Sequence, residues 1–197
     1  ILYDGTLYLT TSSTDVVAVN AVTGQLRWRH DSRSRDDLHY SDGVSRGVSL
    51  WVDSSSPPQA VCHARIFAPT LDGRLLALDA ATGKPCVEFG AVNLLLDVRS
   101  QFKEGDEWRD YLVTSPPAIL DDKVIVGSAI GDNRAVLEEL GIVRAYDARS
   151  GRLVWSWDPI PREASNPVYK EWNPASVATA SAANAWAPLS VDAARRL

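Results

Sequence analysis

Ala145-Tyr146-Asp147-Ala148-Arg149-Ser150-Gly151-Arg152-Leu153-Val154-Trp155 is one of three versions of a single phrase in this chain. Ala18-Val19-Asn20-Ala21-Val22-Thr23-Gly24-Gln25-Leu26-Arg27-Trp28 is an earlier version. Ala77-Leu78-Asp79-Ala80-Ala81-Thr82-Gly83-Lys84-Pro85-Cys86-Val87 is the middle one, with Val87 where the others carry Trp. The residues up to the acidic or amide position alternate like the end of a β-strand. Asp or Asn followed by Thr or Ser and then Gly is turn chemistry, in which side-chain oxygens accept from nearby amides and Gly adopts positive φ. The Trp beyond it begins a return strand and supplies a large ring to bury. Three copies predict stacked supersecondary units rather than one ordinary hairpin.

The spacing fits that reading. Gly83 lies 59 residues after Gly24, and Gly151 lies 68 after Gly83. A simple propeller blade takes roughly 40–45 residues, so each unit reads as a four-stranded blade with a long insertion. The expected insertions are Asp31–Val44, Val92–Trp108, Asn133–Leu140 and Ile160–Ala183, collected on one face. Strands are expected over Thr6–Thr11, Asp15–Asn20, Gly47–Val52, Arg65–Thr70, Arg74–Asp79, Ala118–Leu120, Val124–Ser128, Gly141–Asp147 and Leu153–Trp157. Helix is hinted only at Glu138–Leu140 and Val191–Leu197. The fold class is therefore all-β, with about three blades in residues 1–197. Ile1–Gly5 and Leu189–Leu197 read as patterns cut short, so the expectation is a partial propeller domain truncated at both ends.

Composition narrows the partners. Of the 197 residues, 45% are apolar and 23% charged, and the net charge is −5, which disfavours a nucleic-acid surface. No apolar run reaches the length of a membrane span. The seven Trp suit repeated docking positions. Cys62 and Cys86 flank one hairpin. They read equally as a disulfide formed in an oxidising compartment or as two buried thiols, since spacing alone does not give their separation. The three histidines, His30, His39 and His63, are too scattered for a zinc site, and no phosphate loop or Cys-x-x-Cys is present.

The motifs in order resemble the pyrroloquinoline quinone (PQQ)-dependent dehydrogenases, closest to the membrane-bound glucose/quinate/shikimate branch. The resemblance is carried by the docking phrases, Ser45-Arg46-Gly47-Val48-Ser49, Thr114-Ser115-Pro116-Pro117, Gly131-Asp132-Asn133 and Asn184-Ala185-Trp186-Ala187-Pro188. It extends over essentially the whole chain. It implies an eight-bladed propeller of which this chain holds a part, with PQQ lying flat on the axis and bridged to the protein by Ca²⁺ or Mg²⁺. Arg46 then matches the arginine that approaches the quinone, where a guanidinium fork suits carboxylates and carbonyls. Thr114 matches a cofactor hydroxyl donor, and Trp186 matches the indole on which the cofactor rests. Asn133, with Asp132 beside it, matches the cation ligand, since hard cations take amide and carboxylate oxygens. The extra residue in Gly127–Asn133 leaves open which of the pair faces the metal.

Each of these residues also has an ordinary reading: a solvated loop arginine, a strand-edge threonine, a Gly-Asp-Asn turn, a packing tryptophan. Two departures stand out. Ser45 occupies a position where the branch often has Cys, and the loop from His30 to Ser45 is rearranged, leaving His39 only a candidate for the quinone's other face. The family's aspartate base falls beyond Leu197, so no catalytic residue is assigned within this chain. The implied activity is oxidation of a sugar or cyclic polyol, with electrons passed to a membrane quinone, in a periplasmic protein anchored through a segment outside this chain. The alternatives are a non-catalytic envelope propeller scaffold and a soluble quinoprotein alcohol dehydrogenase. The second is disfavoured by the absence of adjacent cysteines.

Overall fold

The structure, a computed structural model, describes residues 1–34, 39–40, 43–94, 108–109, 111–130, 140–180 and 183–196. In chain order its strands are β1 (Leu2–Tyr3), β2 (Thr6–Thr10), β3 (Val16–Asn20), β4 (Leu26–His30), β5 (His39–Tyr40), β6 (Ser49–Val52), β7 (Ala64–Pro69) and β8 (Arg74–Asp79). They continue as β9 (Val92–Asn93), β10 (Trp108–Arg109), β11 (Tyr111–Leu112), β12 (Ala118–Leu120), β13 (Lys123–Val126), β14 (Ala129–Ile130), β15 (Val143–Asp147) and β16 (Leu153–Trp157). Three four-stranded antiparallel sheets result: β1-β2-β3-β4, β6-β7-β8-β9 and β12-β13-β15-β16. Each is one blade, and the apolar core lies between the blades.

The three turns are built as the phrase predicts. Asn20 Oδ1 accepts from the amides of Val22 and Thr23. Asp79 Oδ1 accepts from the Thr82 amide and hydroxyl, and Asp147 Oδ1 from the amides of Arg149 and Ser150 and the Ser150 hydroxyl. Gly24, Gly83 and Gly151 take φ of 71°, 71° and 66°, and each amide closes back on the carbonyl of its Asn or Asp.

Those turns are also the docking points between blades. The Trp28 ring from β4 lies on Gly83 of the second blade, so closely that a Cβ there would sit 2.5 Å from a ring carbon. Trp28 Nε1 donates to Ala80 O at 3.0 Å, and the Tyr8 hydroxyl donates to the same carbonyl at 3.0 Å. At the next joint Arg65, buried within the second blade, donates to the equivalent Ala148 carbonyl at 3.0 Å and to Arg149 O at 2.7 Å. Arg149 returns across that joint, stacking its guanidinium 4.9 Å from the Trp51 ring centroid and pairing with Asp53 at 2.7 Å. Hydrogen bonds from Arg149 and Ser55 hold the Asp53 carboxylate far below the usual carboxylate range.

The middle phrase departs from expectation. Pro85 has no amide to donate to a ladder, and beyond it the chain turns into a 3₁₀ helix, Val87–Phe89, instead of a straight return strand. Val87, in the Trp position, is 90% exposed. Phe89 does the docking instead: its carbonyl and the Val92 side chain cover Gly151, while its ring packs on Phe67. A Cys62–Cys86 disulfide, with Cα atoms 5.9 Å apart, ties down the start of this detour. Val92–Asn93, expected within an insertion, is the outer strand of the second blade. Trp155 contrasts with the partly buried Trp28 of the docking contact. It is 38% exposed, on a strand exposed along its whole length.

The insertions carry secondary structure of their own. β5 pairs in parallel with β10, joining the first two insertions, and β11 pairs with β14. Pro167–Glu171 forms a 3₁₀ helix and Pro174–Thr179 a short α-helix, α1, each opened by an Asn-Pro pair whose Asn caps the first turn. The helix hinted at Val191–Leu197 is instead a turn over 193–196, with Asp192 accepting from the Arg195 amide and guanidinium. The other hint, Glu138–Leu140, falls almost wholly outside the described residues.

The two roles of glycine can be separated by substitution. Gly24→Ala meets only the cost of a side chain at positive φ, about 1 kcal/mol, because nothing lies within 4 Å of its Cβ position. Gly83→Ala adds a collision with the Trp28 ring, which overpacking data put at about 1–3 kcal/mol more. Thermal unfolding should therefore rank Gly83→Ala well below Gly24→Ala; equal melting temperatures would remove the docking contact from the account.

Candidate functional site

The innermost strands of the second and third blades, β6 and β12, begin side by side. The Arg46 amide, just before β6, donates to Thr114 O, just before β12, at 2.9 Å, and Ser49 Oγ donates to Pro117 O. This lacing brings two residues 68 positions apart in the chain to one place. The first blade is fastened to it by Ser45, whose hydroxyl bonds Thr10 Oγ1 at 2.9 Å.

The third contributor arrives from the end of the chain. Residues 183–190 form no strand here but run along the third blade, where Ala185 joins its apolar face. Ser115 Oγ donates to Trp186 O at 2.6 Å. The Trp186 ring then faces the Arg46 guanidinium, 5.3 Å from its centroid, within cation–π range. Trp186 stays 52% exposed, unlike a side chain filling a core.

A cleft lies between these parts, lined by Thr114, Ser115, Gly127, Ser128, Ala185 and Trp186 among others. Two hydroxyls in it are distinctive. Thr114 and Ser128 are 2% and 1% exposed, yet neither Oγ atom has a hydrogen-bond partner among the described residues. An unpartnered buried hydroxyl costs roughly 1–3 kcal/mol, and such groups in a cleft mark a place where something else completes the bonding.

The structure thus brings Arg46, Thr114 and Trp186 together. Asp132 and Asn133 lie outside the described residues, as does the side chain of His39, whose backbone is in β5. Among the described residues no group of three or more His, Cys, Asp or Glu is gathered as a metal site. Ser115, Gly127 and Ser128 were not singled out from the sequence. Ser115 belongs to the Thr114–Pro117 motif and Ser128 closes the expected strand Val124–Ser128, but nothing local distinguishes a hydroxyl facing a cleft from one facing solvent.

All 197 residues match the family model for the β-propeller domain of the PQQ glucose/ethanol/alcohol dehydrogenases. The chain belongs to that family. Among curated relatives, the glycerol dehydrogenase large subunit of Gluconobacter oxydans is 31% identical over 94% of this chain and 24% of its own length. The quinate/shikimate dehydrogenase (quinone) of Acinetobacter baylyi is also 31% identical, over 94% of this chain and 24% of itself. The solved quinohemoprotein alcohol dehydrogenase ADHIIG of Pseudomonas putida HK5 superposes with a TM-score of 0.70 at 26% identity, covering 98% of this chain and 26% of that one. The chain spans about a quarter of the length of the curated relatives it matches. As a piece of a PQQ dehydrogenase propeller, it holds three consecutive blades and the stretch that follows them.

The orphan hydroxyls make a stability prediction for this propeller. Thr114→Val and Ser128→Ala should leave the melting temperature of the ligand-free protein unchanged or raise it, because each removes a buried donor without breaking a bond. A clear drop in melting temperature on calorimetry would mean that these hydroxyls serve the fold instead.

Proposed function

We propose that the protein containing this chain is a PQQ-dependent dehydrogenase that oxidises a ring hydroxyl of a sugar or cyclic polyol, of the glucose, quinate or shikimate type. The observation that carries the reading is the meeting of Arg46, Thr114 and Trp186: the Arg46 amide bonds Thr114 O, its guanidinium faces the Trp186 ring, and Thr114 and Trp186 line one cleft. Their chemistry fits a flat, polyanionic quinone. Arg46 offers a guanidinium to carboxylate or carbonyl oxygens. Thr114 Oγ1 is a buried donor in need of an acceptor, and the exposed Trp186 indole is a rigid face for stacking. When bound, PQQ supplies the electrophilic carbonyl that accepts hydride from the substrate carbon.

Within this reading the chain's own residues form one wall of the pocket. Arg46 neutralises negative charge at the rim, Thr114 orients the ring within its plane, and Trp186 fixes that plane. Asn133 or its neighbour Asp132 would supply an oxygen ligand to Ca²⁺ or Mg²⁺, which would act as a Lewis acid on the quinone. The group that takes the substrate's hydroxyl proton belongs to a part of the protein outside this chain. We assign the protein to the periplasm, anchored to the membrane through another segment and passing electrons to membrane quinone. The Cys62–Cys86 disulfide supports an oxidising compartment. The net charge of −5 speaks against nucleic acid as a partner.

The test is a dye-linked dehydrogenase assay on the full-length protein, with and without PQQ and Ca²⁺ or Mg²⁺. The panel should span glucose, quinate, shikimate, glycerol and ethanol. Activity on a sugar or polyol that requires added PQQ is expected, and Trp186→Ala should weaken PQQ retention about tenfold or more. A protein inactive on the whole panel, or one whose PQQ affinity ignores Trp186, would refute the reading.

A further inference from the structure

Trp186 lies outside the strands of the described residues. Three features of the third blade meet the segment that carries it. Ser115 Oγ donates to the carbonyl of Trp186 itself at 2.6 Å. Gly127 lets the backbone of Ala185 approach so closely that a Cβ there would lie 2.1 Å from Ala185 O. Gly141 does the same one strand over, where a Cβ would lie 2.0 Å from Ala183 O and 2.6 Å from Asn184 Cα.

Neither glycine has the positive φ that marks the turn glycines. Their missing side chains are explained by closeness alone. The three contacts bear on Ala183, Asn184, Ala185 and Trp186, a seat that runs from Gly141 to the cleft.

We infer that Ser115, Gly127 and Gly141 are positioning residues that set the height and tilt of the Trp186 indole over the cleft. None of them needs to touch the cofactor for this. The inference rests on the reading of Trp186 as the stacking platform for PQQ, and it specifies which residues determine that platform's geometry. Ser115 is the adjustable member. It bonds the platform residue directly, and it lies next to Thr114, whose hydroxyl faces the same cleft. The platform and the hydroxyl donor are thereby indexed to one another through a single dipeptide.

The experiment is a double-mutant cycle on the affinity of the full-length apoprotein for PQQ in the presence of Ca²⁺, read by titration of cofactor absorbance. Ser115→Ala should weaken binding roughly five- to tenfold, the worth of one hydrogen bond, while Ser115→Thr, which keeps the hydroxyl, should retain affinity. In a Trp186→Ala background the Ser115→Ala penalty should fall below about twofold, because the group it acts through is gone. Gly141→Ala, remote from the cleft, should show the same loss and the same dependence on Trp186. Circular dichroism and melting temperature identify any variant that fails to fold, and Ser115→Ala serves if Gly141→Ala does. Equal penalties in both backgrounds would overturn the inference while leaving the platform standing. A Trp186→Ala protein that binds PQQ normally would overturn both.

Discussion

An aromatic or apolar side chain pressed onto a glycine of the neighbouring blade's turn is the contact from which the rest of this architecture follows. The glycine is required twice, once because the turn needs positive φ and once because the ring occupies the space of a side chain. The contact buries apolar surface and satisfies an indole donor on the turn's own carbonyl, as Trp28 does on Ala80 O. Repeated from blade to blade, it fixes the angle between sheets. That angle decides where the innermost strands begin, and hence which residues meet at the hub.

The joint tolerates changes of residue as long as its function is kept. At the second joint the docking Trp is missing, and Phe89 with Val92 covers Gly151 after a detour held by the Cys62–Cys86 bond. The donor to the turn carbonyl is Arg65 rather than an indole. Both joints therefore end with the same two requirements met, a covered glycine and a satisfied Ala carbonyl, by different side chains. A buried arginine held by three carbonyls and a glutamate is a costly replacement unless all of its donors are matched, and here Nε, Nη1 and Nη2 each have acceptors.

Much of this was legible in the sequence, and the boundary of legibility has a physical cause. Turns are written locally: Asn20, Asp79 and Asp147 each bond amides within a few residues, so the phrase predicts them. Docking by Trp28 follows from the same phrase. The cover that Phe89 and Val92 give Gly151 does not, because it depends on how far a chain blocked by Pro85 must travel before it returns to the joint. Arg46, Thr114 and Trp186 could be named from their resemblance to the PQQ dehydrogenases. That they lie against one another is a property of blade geometry, which only the structure supplies. Ser115, Gly127 and Gly141 stayed hidden because their partners lie 42 to 71 positions away and carry no local signature. The Asn-Pro starts of Pro167–Glu171 and Pro174–Thr179 are local capping signals of the same written kind.

The blades are regular so that their inner ends can be irregular. Beside the starts of β6 and β12 lie two buried hydroxyls without partners among the described residues and an exposed indole, the features on which the proposed cofactor site rests. The most direct measurement of this account is an experimental structure of the full-length protein loaded with PQQ and Ca²⁺. The account predicts the cofactor ring stacked on the Trp186 indole, with Arg46 and Thr114 Oγ1 within hydrogen-bond distance of its oxygens. A cofactor bound elsewhere, with Trp186 turned to the rim of the propeller and away from Arg46, would contradict it.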